Sequence, residues 1–193
     1  MCQYTILPLQ SIIAREDAVQ MIISKFSCPL NSEVEIFLRD KSVEFEKMDL
    51  SRTYFVFTEY NNKQVLLGYY AITIKDINLA EGVSNKNRKL IAGFSSRKSC
   101  SVHLIGQLAK NYKNNIHELH LITGKRLLEL AIERILLAYQ IIGGRAILVE
   151  CENKEKLRKF YESNGFHLVD KDPEDHLLRY YINIDSIKVC NET

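Results

Sequence analysis

A long amphipathic helix between two β-rich runs constrains the fold of this chain more than any other feature. Residues Gly124–Ile142 place apolar side chains on one broad face at helical spacing, and Gly143 and Gly144 follow as a stop signal. Residues 102–108 and 145–151, on either side, are rich in strand-forming side chains. This order predicts a βαβ crossover, with the two strands parallel or flanking a shared sheet.

The segment after the second of these strands carries the clearest functional signal. Residues 150–153 form a charged turn, and an amphipathic run that ends in Phe160 and Tyr161 follows at helical spacing. Gly165 can adopt the left-handed conformation that ends such a helix, and Phe166 returns the chain to the core. The pattern therefore predicts a strand, a turn, a short helix and a new strand.

The remaining sequence predicts further helices and strands. In chain order they are a strand at 4–9, a helix at 14–24, a helix from 32 to about 48, a hairpin of 53–59 with 64–77, a brief helix at 87–92 and a final hairpin at 177–184. Ser32 and Glu35 have the S-x-x-E spacing of a capping box, which predicts that the second helix begins there.

Composition favours one cytoplasmic domain. A chain of 193 residues with 46% hydrophobic content can bury one good core, so we predict a single domain over residues 1–193. The apolar runs of at most about eight residues are short of the roughly 20 that span a bilayer, and no leader pattern opens the chain. Five scattered cysteines without a C-x-x-C pair argue against disulfides and zinc. We expect no metal and no membrane contact.

Positive charge is concentrated in one stretch of the chain. The net charge is only +2, but residues 82–117 contain seven Lys and Arg and no Asp or Glu. Such a local excess attracts phosphate groups, either of a cofactor or of a nucleic acid. A solvated surface loop can have the same composition, so both interpretations stay open.

The order of elements, together with the letters FYxxxGF at residues 160–166, resembles the GNAT acetyltransferase superfamily. The resemblance implies an α/β (α+β) fold: a single GNAT-like domain with a mixed, mostly antiparallel sheet of six to seven strands. Helices would cover both faces, and the βαβ crossover would lie at the CoA site. It also implies a metal-free N-acetyltransferase in which a primary amine attacks the thioester of acetyl-CoA directly.

Two groups of backbone positions follow from this resemblance. Leu108, Ala109 and Lys110, at the end of the strand before the long helix, would hydrogen-bond the pantetheine arm, and an N–H near Ala109 or Lys110 would bind the oxyanion. The start of the helix would bind the pyrophosphate through unpaired N–H groups and its dipole. That second group consists of Thr123, Gly124, Lys125 and Arg126.

The phosphate loop departs from the family pattern Q/R-x-x-G-x-G/A. With Gly124 as the last glycine, Ile122 stands where the first glycine belongs and Leu119 where Gln or Arg belongs. Glycine has a physical purpose there, since it lets the backbone approach phosphate closely. Gly124 preceded by Thr123 also fits an ordinary helix start with a Thr cap, without any ligand.

The segment after the crossover supplies the implied catalytic groups. By resemblance, Tyr161 would face the sulfur and protonate the leaving thiolate, Asn153 would contact the cofactor, and Glu150 would be the general base, with His103 as a weaker candidate. An unperturbed phenol has a pKa of about 10, close enough to that of a thiol for this exchange in a desolvated site. Alternatively, Phe160 and Tyr161 are two core aromatics, and the polar candidates are strand-edge residues.

The N-terminal half resembles more closely the acetyltransferase toxins of bacterial toxin–antitoxin pairs. The letters that carry this resemblance are FSC at 26–28, FLRDKSVEFEK at 37–47, SRTYFVF at 51–57 and LGYYAIT at 67–73. Such toxins acetylate the amino group of aminoacyl-tRNA, and the basic stretch 86–113 would then hold tRNA through its phosphates.

Three functions therefore follow from the sequence. The main prediction is an N-acetyltransferase acting on a primary amine, and the alternative is the toxin that acetylates aminoacyl-tRNA. A second alternative is a non-catalytic acyl-CoA-binding module, which the departures at Leu119 and Ile122 motivate. Exposed edges of the predicted sheet make a homodimer compatible with each of the three.

Overall fold

Seven strands of the described chain form one sheet in the order β1-β2-β3-β4-β5-β7-β6. The structure, a computed structural model, describes residues 3–172 and 176–191, the last four of them by their backbone alone. The strands are β1 (Tyr4–Pro8), β2 (Arg52–Tyr60), β3 (Lys63–Asn78), β4 (Ser99–Lys110), β5 (Ala146–Cys151), β6 (His167–Lys171) and β7 (Leu178–Asn183).

The helices follow the sequence pattern with a few additions. They are α1 (Glu16–Ile23), α2 (Ser32–Ile36), α3 (Ser42–Lys47), α4 (Asn85–Ala92), α5 (Gly124–Ile142), α6 (Glu155–Ser163) and α7 (Ile184–Asn191). A π-helical turn, Phe37–Lys41, joins α2 to α3, so the predicted second helix is interrupted. Short 3₁₀ segments occupy Leu9–Ser11 and Lys113–Leu119. Helix α7 was not predicted.

The predicted crossover is confirmed. Strands β4 and β5 are parallel, with His103, Leu104 and Ile105 opposite residues 147–149, and α5 connects them. By contrast, β1 with β2, β2 with β3, β5 with β7 and β6 with β7 are antiparallel. The fold class is therefore α/β with a mixed, mostly antiparallel sheet, as the sequence predicts.

The chain divides into two compact units. The first contains residues up to 73 together with 107–131, and the second contains 74–106 together with the residues from 132 onwards. The division falls inside β3, β4 and α5, so these elements each run through both units. The single-domain prediction for residues 1–193 stays a prediction.

In the first unit, the buried side chains come from the N-terminal helices and from β2 and β3. Leu38, Phe55 and Tyr69 are each at most 1% exposed. The Tyr69 ring packs edge-on against Phe26, and its hydroxyl donates to the carbonyl of Val34. Burying these large side chains supplies the main stabilisation of this unit, on the order of 2 kcal/mol for each.

The cap of α2 differs from the predicted capping box. The side chain of Asn31 accepts from the Glu33 amide at 2.9 Å, so the N-cap lies one residue before Ser32. Glu35 reaches back instead to the amide of Cys28, at 2.9 Å. Asn is as good an N-cap as Ser, and the extended backbone of Asn31 suits that position, which is why the box prediction was wrong.

In the second unit, a buried ion-pair group lies on β6 and β7. The guanidinium of Arg179, itself 2% exposed, donates to both carboxylate oxygens of Asp170 at 2.6 Å, to Asp172 at 3.4 Å and to the carbonyl of Asn78 at 2.8 Å. A buried guanidinium is tolerated only when its donors are satisfied in this way. Around it, the apolar core of this unit includes Ile91, Val102 and Leu148.

The described residues were compared with the expectations for a membrane span, a metal site and disulfide bonds. No helix in the described residues is long and apolar enough to cross a membrane. Within residues 3–172 and the described side chains from 176 onwards, no group of three His, Cys, Asp or Glu side chains is arranged to bind a metal ion. The thiols of Cys28, Cys100 and Cys151 are free, while Cys2 lies outside the described residues.

Asn111 fixes the chain where it leaves β4. Its side chain is 1% exposed; the amide nitrogen donates to the carbonyls of Lys25 at 2.8 Å and Leu66 at 2.9 Å, and the oxygen accepts from the amides of Ser27 and Lys113, each at 3.0 Å. Both donors and both acceptor positions of one side chain are thus used to join three segments of the first unit.

We predict that Asn111→Ala lowers the free energy of unfolding by about 3 kcal/mol or more, because it leaves several buried polar groups without partners. Urea denaturation measures the change. The matched control is Asn85→Ala at the exposed start of α4, which should stay within about 0.5 kcal/mol of the wild type. Equal stability of the two variants would contradict the bracing role of Asn111.

Candidate active site

The end of β4 approaches β3 unusually closely. A Cβ atom at Gly68 would lie 2.4 Å from the carbonyl oxygen of Ala109, so only glycine fits at this position. The pairing of β2 with β3 shifts register here and gives β3 one extra residue, Leu67, whose carbonyl accepts from the Asn111 amide at 2.8 Å. This bulge re-aims the strands in the part of β4 where the family resemblance puts the pantetheine contact.

The loop from β4 to α5 turns without glycine. Asn114, Asn115 and His120 have φ values of 52°, 56° and 49°, in the left-handed region that most side chains avoid. Asn tolerates this conformation better than other residues that carry a Cβ. The adjacent Asn pair was the sequence signal that would have identified this turn.

Helix α5 begins with a Thr cap. The Thr123 hydroxyl accepts from the Arg126 amide at 3.1 Å, and its carbonyl accepts from the Leu127 amide at 3.1 Å. The cap uses the Arg126 N–H, so the N–H groups at Gly124 and Lys125 are the ones that a helix start leaves for another partner. Of the four predicted phosphate-binding amides, the one at Arg126 is thus already bonded.

The positive side chains at this helix start are only partly available. The Arg126 guanidinium donates to Glu129 at 3.1 Å and lies 5.7 Å from the centre of the Tyr4 ring. Lys125 is 70% exposed, and its ammonium lies 4.0 Å from the same carboxylate. Solvated pairs of this kind are worth at most about 1 kcal/mol, so a phosphate can compete with Glu129 for either cation.

The two departures from the family loop have different environments. Ile122 is 5% exposed and packs into the first unit, whereas Leu119 is 42% exposed. A buried Ile at the position of the first glycine makes this loop a packed segment, because its side chain contributes to the core. The helix start at Gly124 remains the part of the loop that can bind an anion.

In the second unit, the ring of Tyr161 packs as a core residue does. The side chain is 8% exposed, and its ring packs against Phe160, Phe166 and Tyr180, with centroid distances of 5.1, 5.7 and 6.2 Å. These three rings hold the Tyr161 side chain, and with it the hydroxyl, in one position.

Burial controls the protonation of this neighbourhood. Loss of water, and then the neighbouring Cys151, raise the pKa of Tyr161 well above its usual value. Desolvation likewise raises the pKa of the Cys151 thiol to about 11, with a smaller contribution from Glu152. Tyr180, whose hydroxyl donates to Glu162 at 2.9 Å, has its pKa raised to about 12 by burial and by that bond. All three groups therefore keep their protons at neutral pH.

The predicted base candidates have structural partners. Both oxygens of Glu150 accept from the Lys75 ammonium, at 2.8 and 2.9 Å, a pairing to which nothing in the sequence points. Nε2 of His103 lies 2.8 Å from the carbonyl of Gly143, so that nitrogen must carry the hydrogen and donate it. His103 is therefore bound to the turn after α5. Asn153 lies exposed in the turn before α6, as predicted.

The basic stretch contains one cation that is not on the surface. Arg88 is 9% exposed, and its guanidinium donates to the carbonyls of Val83, Ala80 and Arg97. It therefore holds the fold of this segment and cannot contact a phosphate at the same time. The exposed cations of the stretch in the second unit are Lys86, Lys89, Arg97 and Lys98.

No family model matches the sequence, and no curated protein matches it. Solved structures do match over nearly the whole chain. A tyrosine-to-phenylalanine mutant of KacT is 20% identical with a TM-score of 0.69 (97% of this chain, 99% of that chain). AtaT complexed with acetyl-methionyl-tRNAfMet is 21% identical with a TM-score of 0.66 (98% and 99%).

A third solved structure is a mutant AtaT toxin bound to the C-terminus of the antitoxin AtaR and acetyl-CoA. It is 18% identical with a TM-score of 0.62, and the alignment covers 98% of this chain and 99% of that chain. The chain has the GNAT fold. At these identities the likeness is one of fold, and it confirms the fold-level resemblance drawn from FYxxxGF and the N-terminal half.

Within the GNAT fold, the sites predicted from sequence lie in two separate groups along the chain. Leu108, Ala109 and Lys110 at the end of β4 and residues 123–126 at the start of α5 belong to the first unit. Glu150, Asn153 and Tyr161 belong to the second. Their roles toward a ligand stay predictions.

We predict that Gly68→Ala destabilises the protein by about 2 kcal/mol, because the added methyl must push the Ala109 backbone aside. Thermal unfolding measures the effect. The control is Gly82→Ala, where an added Cβ would meet nothing within 4 Å. A Gly68→Ala variant indistinguishable from the control would rule out the close approach.

Proposed function

We propose that this chain is an acetyl-CoA-dependent N-acetyltransferase that acetylates the amino group of aminoacyl-tRNA, in the manner of a toxin of a toxin–antitoxin pair. The observation that carries the proposal is the buried Tyr161, whose ring is fixed by three aromatic neighbours so that its hydroxyl has a defined position. The near full-length likeness to AtaT, solved with acetyl-methionyl-tRNAfMet and with acetyl-CoA, supports the choice of donor and acceptor.

The residues of the first unit suit the donor. In this proposal the backbone of Leu108, Ala109 and Lys110 binds the pantetheine arm, and the amides of Gly124 and Lys125 bind the pyrophosphate at the start of α5. Gly124 has no side chain to block an approaching phosphate, and the exposed Lys125 adds charge beside it. Acetyl-CoA itself supplies the activated acetyl thioester.

Tyr161 then serves as the proton donor to the sulfur. Unperturbed phenols and thiols differ by about 1.5 pKa units, and the phenol holds its proton more tightly. Burial raises the pKa of Tyr161, but it also raises the pKa of the neighbouring Cys151 thiol to about 11. A sulfur that enters the same environment is affected in the same sense, so the hydroxyl can donate a hydrogen bond and finally its proton to it.

The nature of the amine explains how the reaction proceeds while Glu150 is bound to Lys75. An α-amine has a pKa of about 7.7–8.0, so roughly a quarter of it is neutral at physiological pH, whereas only about one lysine side chain in a thousand is. An aminoacyl group therefore needs little help in losing its proton. We propose that Glu150 does not contact the amine directly, and that any proton it accepts reaches it through a water molecule. Its ion pair with Lys75 also orders this part of the sheet.

The second candidate is an acyl-CoA-binding module without turnover. The observation that favours it is Ile122, which is buried where the family has a glycine, so that the loop has less capacity to cradle a pyrophosphate. Such a module would bind acetyl-CoA and transfer nothing. Transfer of labelled acetyl groups to aminoacyl-tRNA by the wild-type protein would reject it.

We predict that Tyr161→Phe lowers kcat for acetyl transfer to aminoacyl-tRNA by about 10²-fold while leaving the affinity for acetyl-CoA within a few-fold, because the ring packing is kept and only the proton donor is removed. The measurement is a single-turnover assay with radiolabelled acetyl-CoA. Tyr60→Phe, at the exposed end of β2, is the matched control and should be fully active.

The same variants report on toxicity. Expression of the wild type and of Tyr60→Phe should arrest bacterial growth, and expression of Tyr161→Phe should not. Equal transfer rates for all three proteins would refute the role of the Tyr161 hydroxyl. Wild-type protein that acetylates other amines but leaves aminoacyl-tRNA untouched would refute the choice of acceptor.

We also predict that kcat does not decline between pH 7 and about pH 10. Tyr161 acts in its protonated form, and its pKa is raised above the ordinary phenol value by burial, so the active form persists through this range. The rate should first rise as the α-amine loses its proton and then stay level. Single-turnover rates across this range test the point, and a descending limb with a midpoint below about pH 9, with the fold intact by circular dichroism, would contradict it.

A further inference from the structure

A basic and aromatic surface lies on the second unit, at α4 and the turn that follows it. We call it the Phe94 patch; it consists of Lys86, Lys89, Phe94, Arg97 and Lys98. The Phe94 side chain is 64% exposed, and the Arg97 guanidinium lies over its ring, 5.6 Å from the centroid. The three lysines are exposed and make no ion pair within the described residues. One face of a large aromatic ring is thus presented among four cations.

The patch is held in place from beneath. Helix α4 ends at Gly93 in the left-handed conformation, with φ of 85°, which sends the chain into the turn that carries Phe94. The buried Arg88 guanidinium donates to the carbonyl of Arg97 at 3.2 Å and to that of Val83 at 3.0 Å. The Leu79 amide donates to the carbonyl of Lys98 at 2.8 Å. The aromatic ring is therefore mounted on a braced turn.

Nothing in the folding of this unit requires Phe94 to be there. A side chain that is 64% exposed stabilises the fold little; what sets Phe94 apart from the other exposed apolar residues is the guanidinium over its ring. The segment that carries Phe94 is positively charged, because residues 82–117 contain seven Lys and Arg and no Asp or Glu. Exposed aromatic rings within a positive surface are the features that proteins use to bind unpaired nucleotides.

We propose that the Phe94 patch binds single-stranded nucleic acid, with an unpaired base stacked on the Phe94 ring and the flanking phosphates on Lys86, Lys89 and Lys98. The Arg97 guanidinium, which already lies over the ring, would cover a second base or a phosphate. A duplex keeps its bases stacked inside, so it has no free base face to offer the ring. An acidic peptide would satisfy the lysines but would leave Phe94 without a planar partner.

This assignment rests on the proposed function in one respect: it identifies the nucleic acid as the unpaired nucleotides of the tRNA substrate. The binding chemistry itself depends only on the described surface. The patch would then supply affinity for the RNA, while Tyr161 acts on the acetyl donor, so changes in the two should separate in KM and kcat.

Fluorescence anisotropy with a labelled oligoribonucleotide of about ten bases tests the proposal. Phe94→Ala should weaken binding about tenfold and leave its salt dependence unchanged, because stacking releases no counterions. The double variant Lys86→Ala with Lys89→Ala should reduce the slope of log Kd against log salt by about 0.7 for each phosphate that it no longer neutralises. Leu168→Ala, exposed by 49% on β6, and Lys171→Ala are the matched controls and should bind like the wild type.

Four outcomes would overturn the proposal. The first is a Phe94→Ala variant that binds the single strand as the wild type does, and the second is an RNA duplex that binds as tightly as the single strand. The third is an oligoglutamate peptide whose binding falls in parallel on Phe94→Ala, since that would assign the patch to an acidic protein. The fourth is a loss of binding in the Leu168→Ala control.

The failure of this proposal is distinguishable from the failure of the proposed function. If the wild type acetylates aminoacyl-tRNA and Phe94→Ala changes neither RNA affinity nor KM, the Phe94 patch is rejected and the function stands. If the wild type transfers no acetyl group but its oligonucleotide affinity falls on Phe94→Ala, the patch stands and the function is rejected. Thermal unfolding of each variant ensures that the comparison is between folded proteins.

Discussion

The parallel pairing of β4 with β5 is the constraint on which the rest of the fold depends. Three directly opposed residue pairs establish it, and α5 must connect the strands because no short turn can join parallel neighbours. The chain therefore leaves both strands in the same direction, once into the loop before α5 and once into the turn before α6. Residues 123–126 follow the first of these exits and Asn153 lies in the second, and the carboxyl ends of parallel strands are a general location of ligand sites.

Charge in this protein is divided between cations that build the fold and cations that remain for a partner. Arg88 and Arg179 are both nearly inaccessible to solvent, and different partners compensate for the lost hydration of each guanidinium. Arg179 is bonded to two carboxylates, whereas Arg88 donates to backbone carbonyls. The guanidinium suits both tasks because its five donors are fixed in one plane. Counting charges along the sequence cannot distinguish such a residue from an exposed one, and this is why the basic stretch included Arg88.

The fold was predictable where one pattern sufficed. The apolar face of α5, the Gly143–Gly144 stop and the β-rich runs around them led to the correct crossover, and FYxxxGF placed α6 and its end correctly. The predictions that were wrong or missing concerned either two neighbouring residues of similar chemistry or two residues far apart in the sequence. Asn31 and Ser32 are equally good caps, and the Glu150–Lys75 pair joins residues far apart in sequence. The bulge at Leu67 and the left-handed conformation of Asn114 and Asn115 are features of the backbone. The local sequence determines such features only weakly.

The loop before α5 and Tyr161 both separate packing from the groups that the proposed function uses. Where glycines would bend the loop, Asn114, Asn115 and His120 take the left-handed conformation, and Ile122 fills the core beneath. The helix start at Gly124 does not depend on those glycines, since its unpaired amides come from helix geometry itself. In Tyr161, the ring packs against its aromatic neighbours, and the hydroxyl is not needed for that packing. A helix start therefore has amides that can bind an anion whether or not the loop before it has the consensus glycines.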